Sequence, residues 1–272
     1  MHEPNYTVPR VRKGIKKIIT VYDVGWRISN VSYGLSDSVI NEAEAAIQLS
    51  DKIITPTESV KNDLIKYYNI NPFDIVVIPL GVDNLFLNNE FSKCLFELPE
   101  KYWVFVGALT ARKNMEKVVE AIASMTRKLP LVIVGNNTDH VRKIIKLGDL
   151  KGVEIINITG ADDVQLKTIY SKSVGLVYPS LWEGFGLPII EAAAVGIPVI
   201  TSNNTSMQEI GREFAFLVDP LSTHDICQAM ERVISLENTE RMILKNKSKL
   251  ISKQYTWKRC IDLHGELYHS LI

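Results

Sequence analysis

The chain has 272 residues, of which 46% are hydrophobic and 23% are charged, and its formal net charge at pH 7 is zero. This length accommodates one large or two medium domains with a sizeable core, and the balanced charge argues against nucleic acid as a general partner. No apolar run approaches the roughly 18 residues that a membrane span requires, so any membrane association is expected to be peripheral. The three cysteines show neither metal-ligand spacing nor a disulfide framework, so we expect a cytoplasmic protein.

The first part of the chain, residues 1–82, is predicted to be a partial Rossmann-like domain. Short apolar segments alternate with amphipathic ones, which is typical of parallel sheets covered by helices. We predict strands at about 17–22, 52–55 and 75–79, with helices between them at about 37–49 and 57–68. Three strands with uncovered edges are marginal alone, so we expect a partner chain, self-association or packing against the second domain to cover them.

The second part, residues 83–254, carries a complete alternating pattern and is predicted to be a full Rossmann-like domain. Strands are predicted near 102–106, 131–135, 152–157, 174–178, 198–202 and 214–218. Helices are predicted at about 114–127, 138–147, 163–171, 188–195 and 223–236. Asn114 is predicted as an N-cap, and Asp162 and Asp163 are predicted as helix-capping residues, the alternative being that the connection 159–163 contacts a ligand. Residues 255–272 are predicted to form an amphipathic helix that crosses back to the first domain. The fold class is therefore α/β, with two parallel-sheet domains of which the first is truncated.

A basic pair lies at one strand-to-helix junction of this second domain. Arg112 and Lys113 follow a predicted strand that breaks at Gly107, and they precede a predicted helix. Open α/β sheets bind ligands at the carboxyl ends of their strands. Two cations at such a position would neutralise a diphosphate, although an arbitrary Arg-Lys pair is equally explained as a solvated surface pair.

The most informative segment is residues 179–202, which read PSLWEGFGLPIIEAAAVGIPVITS. Pro188 suits the first position of a short helix, and Gly196 suits a left-handed C-cap, so a helix is predicted at 188–195. The free N–H groups and positive dipole end of this helix lie directly behind the turn at 184–186. That turn is therefore a predicted seat for an anion.

Two glutamates flank this predicted turn. Glu191, expected in the first turn of the helix, offers a carboxylate that can accept two hydroxyl hydrogen bonds, as the diol of a ribose requires. Glu183 precedes the turn and faces the rest of the ligand. The alternative is that Glu191 only complements the helix dipole and that Glu183 is a solvated loop residue.

The spacing of these two glutamates resembles a known family signature. Glu183-x7-Glu191, with Gly-Phe-Gly-Leu-Pro inside it and Glu-Ala-x-Ala-x-Gly-x-Pro-Val following, resembles the retaining nucleotide-sugar glycosyltransferases of family 4. The resemblance implies the GT-B fold and covers nearly the whole chain, without the opening segment of the first domain. It also implies transfer with retention of the anomeric configuration and no requirement for a metal ion.

The resemblance implies a role for each candidate residue. Glu183 would act at the donor sugar, while Arg112 and Lys113 would grip the donor diphosphate, and these three form the predicted catalytic set. Glu191 would hold the ribose. The predicted donor- and nucleotide-binding set is Gly107, Gly184, Phe185, Gly186, Leu187 and Glu191.

Two positions depart from the family pattern. Many members have an arginine directly after the glycine that matches Gly107; this chain has Ala108 there, so Arg112 is expected to substitute. Members often have a histidine that contacts the donor sugar where this chain has Tyr22, and a tyrosine with a pKa near 10 cannot take the same protonation role at neutral pH. Tyr22 and the following Asp23 are predicted on the acceptor or sugar side, the alternative being that Tyr22 only packs at the strand end.

The sequence thus predicts a hexosyltransferase that moves a sugar with retention from a UDP- or GDP-sugar to a glycan or lipid-linked acceptor, in surface polysaccharide synthesis. No cofactor is expected beyond the donor itself. The basic run at 10–17 is a candidate for peripheral contact with anionic lipid at the inner face of the membrane. The alternative is a catalytically degenerate or split nucleotide-sugar-binding module that needs a partner chain.

Overall fold

The structure, a computed structural model of the chain, describes residues 1–7, 12, 14–28, 35–88 and 90–271. The chain divides into two compact units. The first unit consists of Met1–Gly81, Trp182–Phe185 and Trp257–Ile272, and the second consists of Val82–Leu181 and Gly186–Thr256. The short segment Trp182–Phe185 therefore belongs to the first unit, whereas the sequence had placed it in the second domain.

The described residues form ten strands and twelve α-helices. In chain order, the strands are β1 (His2–Glu3), β2 (Ile18–Thr20), β3 (Lys52–Thr55), β4 (Ile75–Val77), β5 (Trp103–Val106), β6 (Leu131–Val134), β7 (Ile155–Ile158), β8 (Gly175–Tyr178), β9 (Val199–Ser202) and β10 (Phe216–Val218). The α-helices are α1 (Gly25–Ile28), α2 (Asp37–Leu49), α3 (Glu58–Tyr68), α4 (Asn84–Leu87), α5 (Met115–Ser124), α6 (Asp139–Lys151), α7 (Asp163–Lys172), α8 (Leu187–Val195), α9 (Thr205–Gly211), α10 (Thr223–Ile234), α11 (Asn238–Ser252) and α12 (Trp257–His269).

The first unit contains a parallel sheet in the order β1-β2-β3-β4. The predicted strands correspond to β2, β3 and β4, whereas β1 and α1 were not predicted because elements of two and four residues are too short to show a hydrophobic period. Buried apolar residues such as Ile19 and Leu64 form the core of this unit. Helix α12 belongs to the same unit, where Cys260 and Leu267 pack against residues of β2 and β3.

The second unit contains a parallel six-stranded sheet in the order β10-β9-β8-β5-β6-β7. Its six strands and the helices α5, α6, α7, α8 and α10 were predicted, and the α/β fold class with two parallel-sheet units is confirmed. Helices α4, α9 and α11 were not predicted. For α11 the sequence did contain a signal, because Glu237 and Glu240 form a reciprocal capping box at its start.

Two predicted N-caps had different outcomes. Asp162 caps α7, since its carboxylate accepts a hydrogen bond from the Gln165 N–H at 2.8 Å. Asn114 stands at the predicted N-cap position of α5, but it adopts a left-handed conformation with φ of 60°, and its side chain makes no capping bond. Its amide instead donates to the carbonyl oxygens of Pro179 and Pro220, at 3.1 and 2.7 Å. The side chain thus ties the start of α5 to two distant loops.

Within the described ranges, no helix is both long enough and apolar enough to cross a membrane. Three residues of the basic run at 10–17, namely Arg10, Val11 and Lys13, lie outside the described residues. The lipid contact predicted for that run stays a prediction, as does a partner chain that covers the sheet of the first unit.

Candidate active site

The second unit has a topological switch point at the centre of its sheet. Strands β5 and β8 are neighbours. From β5 the chain continues to β6 and β7 on one side, and from β8 it continues to β9 and β10 on the other. Connections that leave in opposite directions open a crevice at the carboxyl ends of the two central strands, which is where open α/β sheets bind ligands.

Two glycines bring main chain close together at this edge of the sheet. Gly107, directly after β5, has a φ of 129°, which residues with a side chain rarely adopt. A Cβ atom on Gly135, directly after β6, would overlap the carbonyl oxygen of Gly107. Both glycines are partly exposed, so the edge offers backbone groups to a ligand with no side chain in the way. Gly135 was missed by the sequence interpretation, although a glycine directly after an apolar strand was a visible signal.

Lys113 lies at the end of a 3-10 helix, Ala111–Lys113, on the segment that leaves β5. It is only 7% exposed, so the alternative of a solvated surface pair does not hold for this residue. Its ammonium group donates a short hydrogen bond to the hydroxyl of Tyr178, the last residue of β8, and lies 4.6 Å from the centre of that ring. The Tyr178 ring stacks on Phe105 of β5. A buried cation is thereby fixed at the carboxyl ends of both central strands.

Arg112 lies beside this cation on the same 3-10 helix and is partly exposed. Its carbonyl oxygen accepts a hydrogen bond from the N–H of Leu181, in the segment that leaves β8, at 2.8 Å. The two segments that leave the switch point are therefore bonded to each other through the basic pair. This arrangement gives an anion at the crevice one buried and one partly exposed cation.

Helix α8 begins on the same edge of the sheet, because it follows β8. Gly186 precedes it in a left-handed conformation, with φ of 97° and ψ of 55°. The helix begins at Leu187, so Pro188 is its second residue rather than the predicted first. Gly196 forms the predicted left-handed C-cap, with φ of 88°. Pro188 has no N–H, and the Ile189 N–H donates to the Gly186 carbonyl oxygen at 2.9 Å. The start of this nine-residue helix therefore offers a negatively charged ligand the Leu187 N–H and the positive end of the helix dipole.

Glu191 occupies a different position in α8 from the predicted one. It is the fifth residue of the helix and not part of the first turn, which has no acidic residue. The alternative role of complementing the helix dipole therefore loses its geometric basis. The carboxylate accepts a hydrogen bond from the hydroxyl of Tyr170 in α7 at 2.9 Å.

The surroundings of Glu191 make it an unusual acid. Burial raises its pKa to about 7, the charge of Asp163 acts in the same direction, and the hydrogen bond from Tyr170 partly opposes them. Glu191 is nonetheless partly exposed. It therefore changes charge near neutral pH while remaining accessible to a ligand.

The Glu-x7-Glu segment is divided between the two units. Residues 182–185 belong to the first unit, whereas residues 186–191 belong to the second. Within the first unit, Glu183 is 7% exposed and Phe185 is also buried, so Glu183 is not a solvated loop residue. The sequence predicted Gly184, Gly186 and Leu187 as parts of one continuous donor-binding segment. In the structure, Gly184 belongs to the first unit, whereas Gly186 and Leu187 belong to the second unit, which also contains Lys113.

Tyr22 and Asp23 lie in the first unit, just beyond the end of β2. Tyr22 is 38% exposed, so part of its surface remains accessible beyond the strand end. The Asp23 carboxylate accepts a hydrogen bond from the N–H of Gly25 at 3.1 Å, at the start of α1. The backbone N–H of Asp23 donates to the hydroxyl of Tyr6 at 2.9 Å. Asp23 thus stabilises the local structure through these two hydrogen bonds, at the start of α1 and to Tyr6.

In the described part of the chain, no group of three or more histidine, cysteine, aspartate or glutamate side chains is arranged to hold a metal ion. The switch point instead presents two cationic side chains and the positive end of the α8 dipole, which suit an anionic ligand.

Two α/β units, each built on a parallel sheet, are the architecture of the GT-B class of glycosyltransferases. Two family profiles match the chain: one described as glycosyl transferases group 1, over residues 88–250, and one described as glycosyltransferase family 4, over residues 2–84. The first match covers more than half of the sequence. The chain therefore belongs to the group 1 family of glycosyl transferases.

Curated relatives include two O-antigen mannosyltransferases. O-antigen chain mannosyltransferase B of Escherichia coli is 25% identical over 95% of this chain and 71% of its own length. O-antigen chain mannosyltransferase RfbU of Salmonella typhimurium is 28% identical over 79% of this chain and 59% of its own length. The chain thus spans well under the full length of the relatives that it matches.

Solved structures show the same fold. Sucrose-phosphate synthase from Thermosynechococcus elongatus superposes with a TM-score of 0.79 at 22% identity, covering 94% of this chain and 68% of that one. Anabaena HepE in complex with UDP and glucose superposes with a TM-score of 0.75 at 15% identity, covering 94% and 71%. At these identities the likeness concerns the fold alone.

Proposed function

We propose that this protein is a glycosyltransferase that moves a hexosyl group, with retention, from a nucleoside diphosphate sugar to a hydroxyl of a glycan or lipid-linked acceptor. The bond between the anomeric carbon and the donor phosphate oxygen breaks, and a bond from that carbon to the acceptor oxygen forms. The acceptor hydroxyl loses its proton to the leaving group or to solvent, and the nucleoside diphosphate departs.

The observation that carries this proposal is the buried cation at the switch point of the second unit. Lys113 is 7% exposed, and its ammonium group, which donates to the hydroxyl of Tyr178, lies at the carboxyl ends of β5 and β8. Open α/β sheets bind their ligands at this edge. A cation fixed there attracts the diphosphate of a donor, and it stabilises the negative charge that develops on a leaving diphosphate.

The other candidate residues have complementary roles in this proposal. Arg112 and the backbone N–H of Leu187 bind the diphosphate together with Lys113, so we expect no metal ion to be required. Glu191 accepts the ribose hydroxyls. Glu183 acts at the donor sugar. Because Gly107 has no side chain, its backbone groups are accessible to oxygen atoms of the donor.

The substrates are proposed from the relatives. Those described above are O-antigen mannosyltransferases, so a mannosyl group carried by a guanosine or uridine diphosphate is the first donor to test. The corresponding setting is the assembly of a surface polysaccharide on a lipid-linked acceptor. Such an acceptor would bring this protein to the inner face of a membrane as a peripheral partner.

The test is donor turnover by the purified full chain. A panel of UDP- and GDP-sugars is incubated without acceptor, and release of nucleoside diphosphate is measured, because a transferase hydrolyses its donor slowly with water in place of the acceptor. Proton NMR of the first sugar released, recorded before mutarotation, reports its anomeric configuration. Retention requires the released anomer to match the donor, and the opposite anomer would refute it.

A binding module without transfer activity is the second candidate. It is favoured by one observation, namely that position 22 is a tyrosine where the family resemblance leads us to expect a histidine. Donor-dependent thermal stabilisation without any nucleotide release would support this candidate. Release of nucleotide above the level of a Lys113→Met variant would exclude it.

A further inference from the structure

The first unit holds the segment Trp182–Phe185 through three separate contacts. The first is a backbone contact at Gly184, where an added Cβ atom would overlap the carbonyl oxygen of Tyr22 and approach the Cβ atom of Asp23 to 2.9 Å. The only side chain that fits at this position is therefore the hydrogen atom of glycine. The segment lies directly on the chain that leaves β2.

The second contact is a hydrogen bond from a buried threonine. Thr57, the N-cap of α3, donates its hydroxyl proton to the carbonyl oxygen of Gly184 at 3.0 Å. The same hydroxyl oxygen accepts the N–H of Val60 at 3.2 Å, which fixes its orientation. Thr57 is 1% exposed, so water does not compete for this bond. One side chain thus joins the start of α3 to the middle of the segment.

The third contact lies one residue before Glu183. The side chain of Asp63 in α3 is hydrogen-bonded to that of Trp182, whose donor is the indole N–H. Trp182 is 3% exposed, and the Oδ2 atom of Asp63 is buried with no hydrogen-bond partner among the described residues. Leaving a buried carboxylate oxygen unpaired is unfavourable, so folding stability alone does not explain an aspartate at this position.

We propose that Thr57 and Asp63 are positioning residues for the transfer reaction, because they fix the two neighbours of Glu183 and thereby set where its carboxylate lies. Trp182 is held on one side of Glu183 and Gly184 on the other. A carboxylate that acts at the donor sugar must be placed to within a fraction of an ångström, and a displacement of about 1 Å costs on the order of 100-fold in rate. This inference rests on the proposed function.

The experiment compares conservative and disruptive variants of the full chain. Thr57→Val removes the hydroxyl and keeps the shape, whereas Thr57→Ser keeps the hydroxyl. Asp63→Leu removes the acceptor for the indole, whereas Asp63→Asn keeps one. We expect the disruptive variants to lower kcat for donor hydrolysis by about 10- to 100-fold, with KM for the donor changed by less than about twofold. The conservative variants should retain at least about half of the wild-type kcat.

Matched controls separate positioning from general destabilisation. Thr168→Val deletes a buried threonine hydroxyl that donates to the Val164 carbonyl oxygen, also at 3.0 Å, in the second unit. Asp74→Leu removes a carboxylate of the first unit that pairs with Lys52 at 2.7 Å. Both controls should keep their kcat. All variants are first checked for a cooperative thermal transition.

A double-mutant cycle and amide exchange complete the test. Asp63→Leu, Trp182→Phe and the double variant should have the same low kcat, because each removes the same hydrogen bond. Amide exchange in the peptide that contains residues 182–186 should accelerate in Thr57→Val and Asp63→Leu, and not in the controls. Wild-type kcat in the disruptive variants, or equal losses in the controls, would overturn the inference. Absence of turnover in the wild-type protein would overturn the proposed function itself.

Discussion

Replacement of Glu191 by glutamine gives the sharpest test of the candidate site, because the structure predicts both a stability effect and a binding effect. Burial raises the pKa of Glu191 from its ordinary value of 4.5 to about 7. Between these two values the folded protein keeps a proton that the unfolded chain has lost. Stability is therefore complete below the unfolded pKa and falls as the pH rises through about 7. Glutamine stays neutral throughout and removes this dependence.

The size of the effect follows from the two pKa values. Between about pH 5 and about pH 8, the wild-type protein should lose about 2.5 kcal/mol of unfolding free energy that the Glu191→Gln variant retains. At about 2–4 °C for each kcal/mol, the Tm of the variant should gain about 5–10 °C on that of the wild type over this range. Binding should change in the opposite direction, because only the ionised carboxylate accepts both ribose hydroxyls. Donor affinity of the wild type should rise by up to about 100-fold between the same pH values.

The assay is a pair of pH series, thermal unfolding and calorimetric titration of a UDP- or GDP-sugar, on wild type and Glu191→Gln. Glu154→Gln is the matched control, since Glu154 is an exposed glutamate of the same unit. The control should follow the wild type in both series. If the Tm difference between wild type and Glu191→Gln stayed constant with pH, the raised pKa would be refuted. If donor affinity followed the same pH curve in both proteins, Glu191 would not bind the ribose.

Three further predictions concern the switch point of the second unit. Gly135→Ala should lower the free energy of unfolding by about 1–3 kcal/mol and weaken donor binding, because the added Cβ atom would overlap the Gly107 carbonyl oxygen. Gly265→Ala is the control, since a Cβ atom there meets nothing within 4 Å. Equal Tm values for the two variants would contradict the expected clash. Lys113→Met should lower kcat by about 10²–10³-fold while the exposed Lys101→Met does not, and similar turnover in both would remove Lys113 from the site. Chelation of divalent metals should leave the rate of donor hydrolysis unchanged. If chelation abolished activity and added magnesium or manganese restored it, a metal ion would take part in binding the diphosphate together with Arg112 and Lys113.

Much of the second unit could be read from local signals. Apolar runs of four to six residues predicted the strands, and amphipathic spacing predicted most of the helices. Both patterns can be recognised because they involve residues that are close together in the sequence. The Asp162 N-cap and the Gly196 C-cap were predicted for the same reason. Short elements such as β1 and α4 escaped, since a few residues show no period.

The candidate site was predicted as a set of residues but not as an arrangement. Lys113, Gly107 and the start of α8 were all found from their places after strands, which the parallel fold alone brings to one edge. The side-chain bonds of Asn114 were not predicted, because its partners, the carbonyl oxygens of Pro179 and Pro220, are far away in sequence. Gly135 was missed because its importance lies in a close approach to Gly107.

The amino-acid sequence by itself determined the α/β class and the strands of the complete second sheet, because both are encoded by neighbouring residues. Only the tertiary structure decided that Glu183 belongs with the first unit while Glu191 belongs with the second. It alone placed Thr57 on Gly184 and gave Glu191 a pKa near neutrality. Burial, hydrogen-bond partners and shifts in acidity depend on residues brought together from distant parts of the chain, and no local pattern records them.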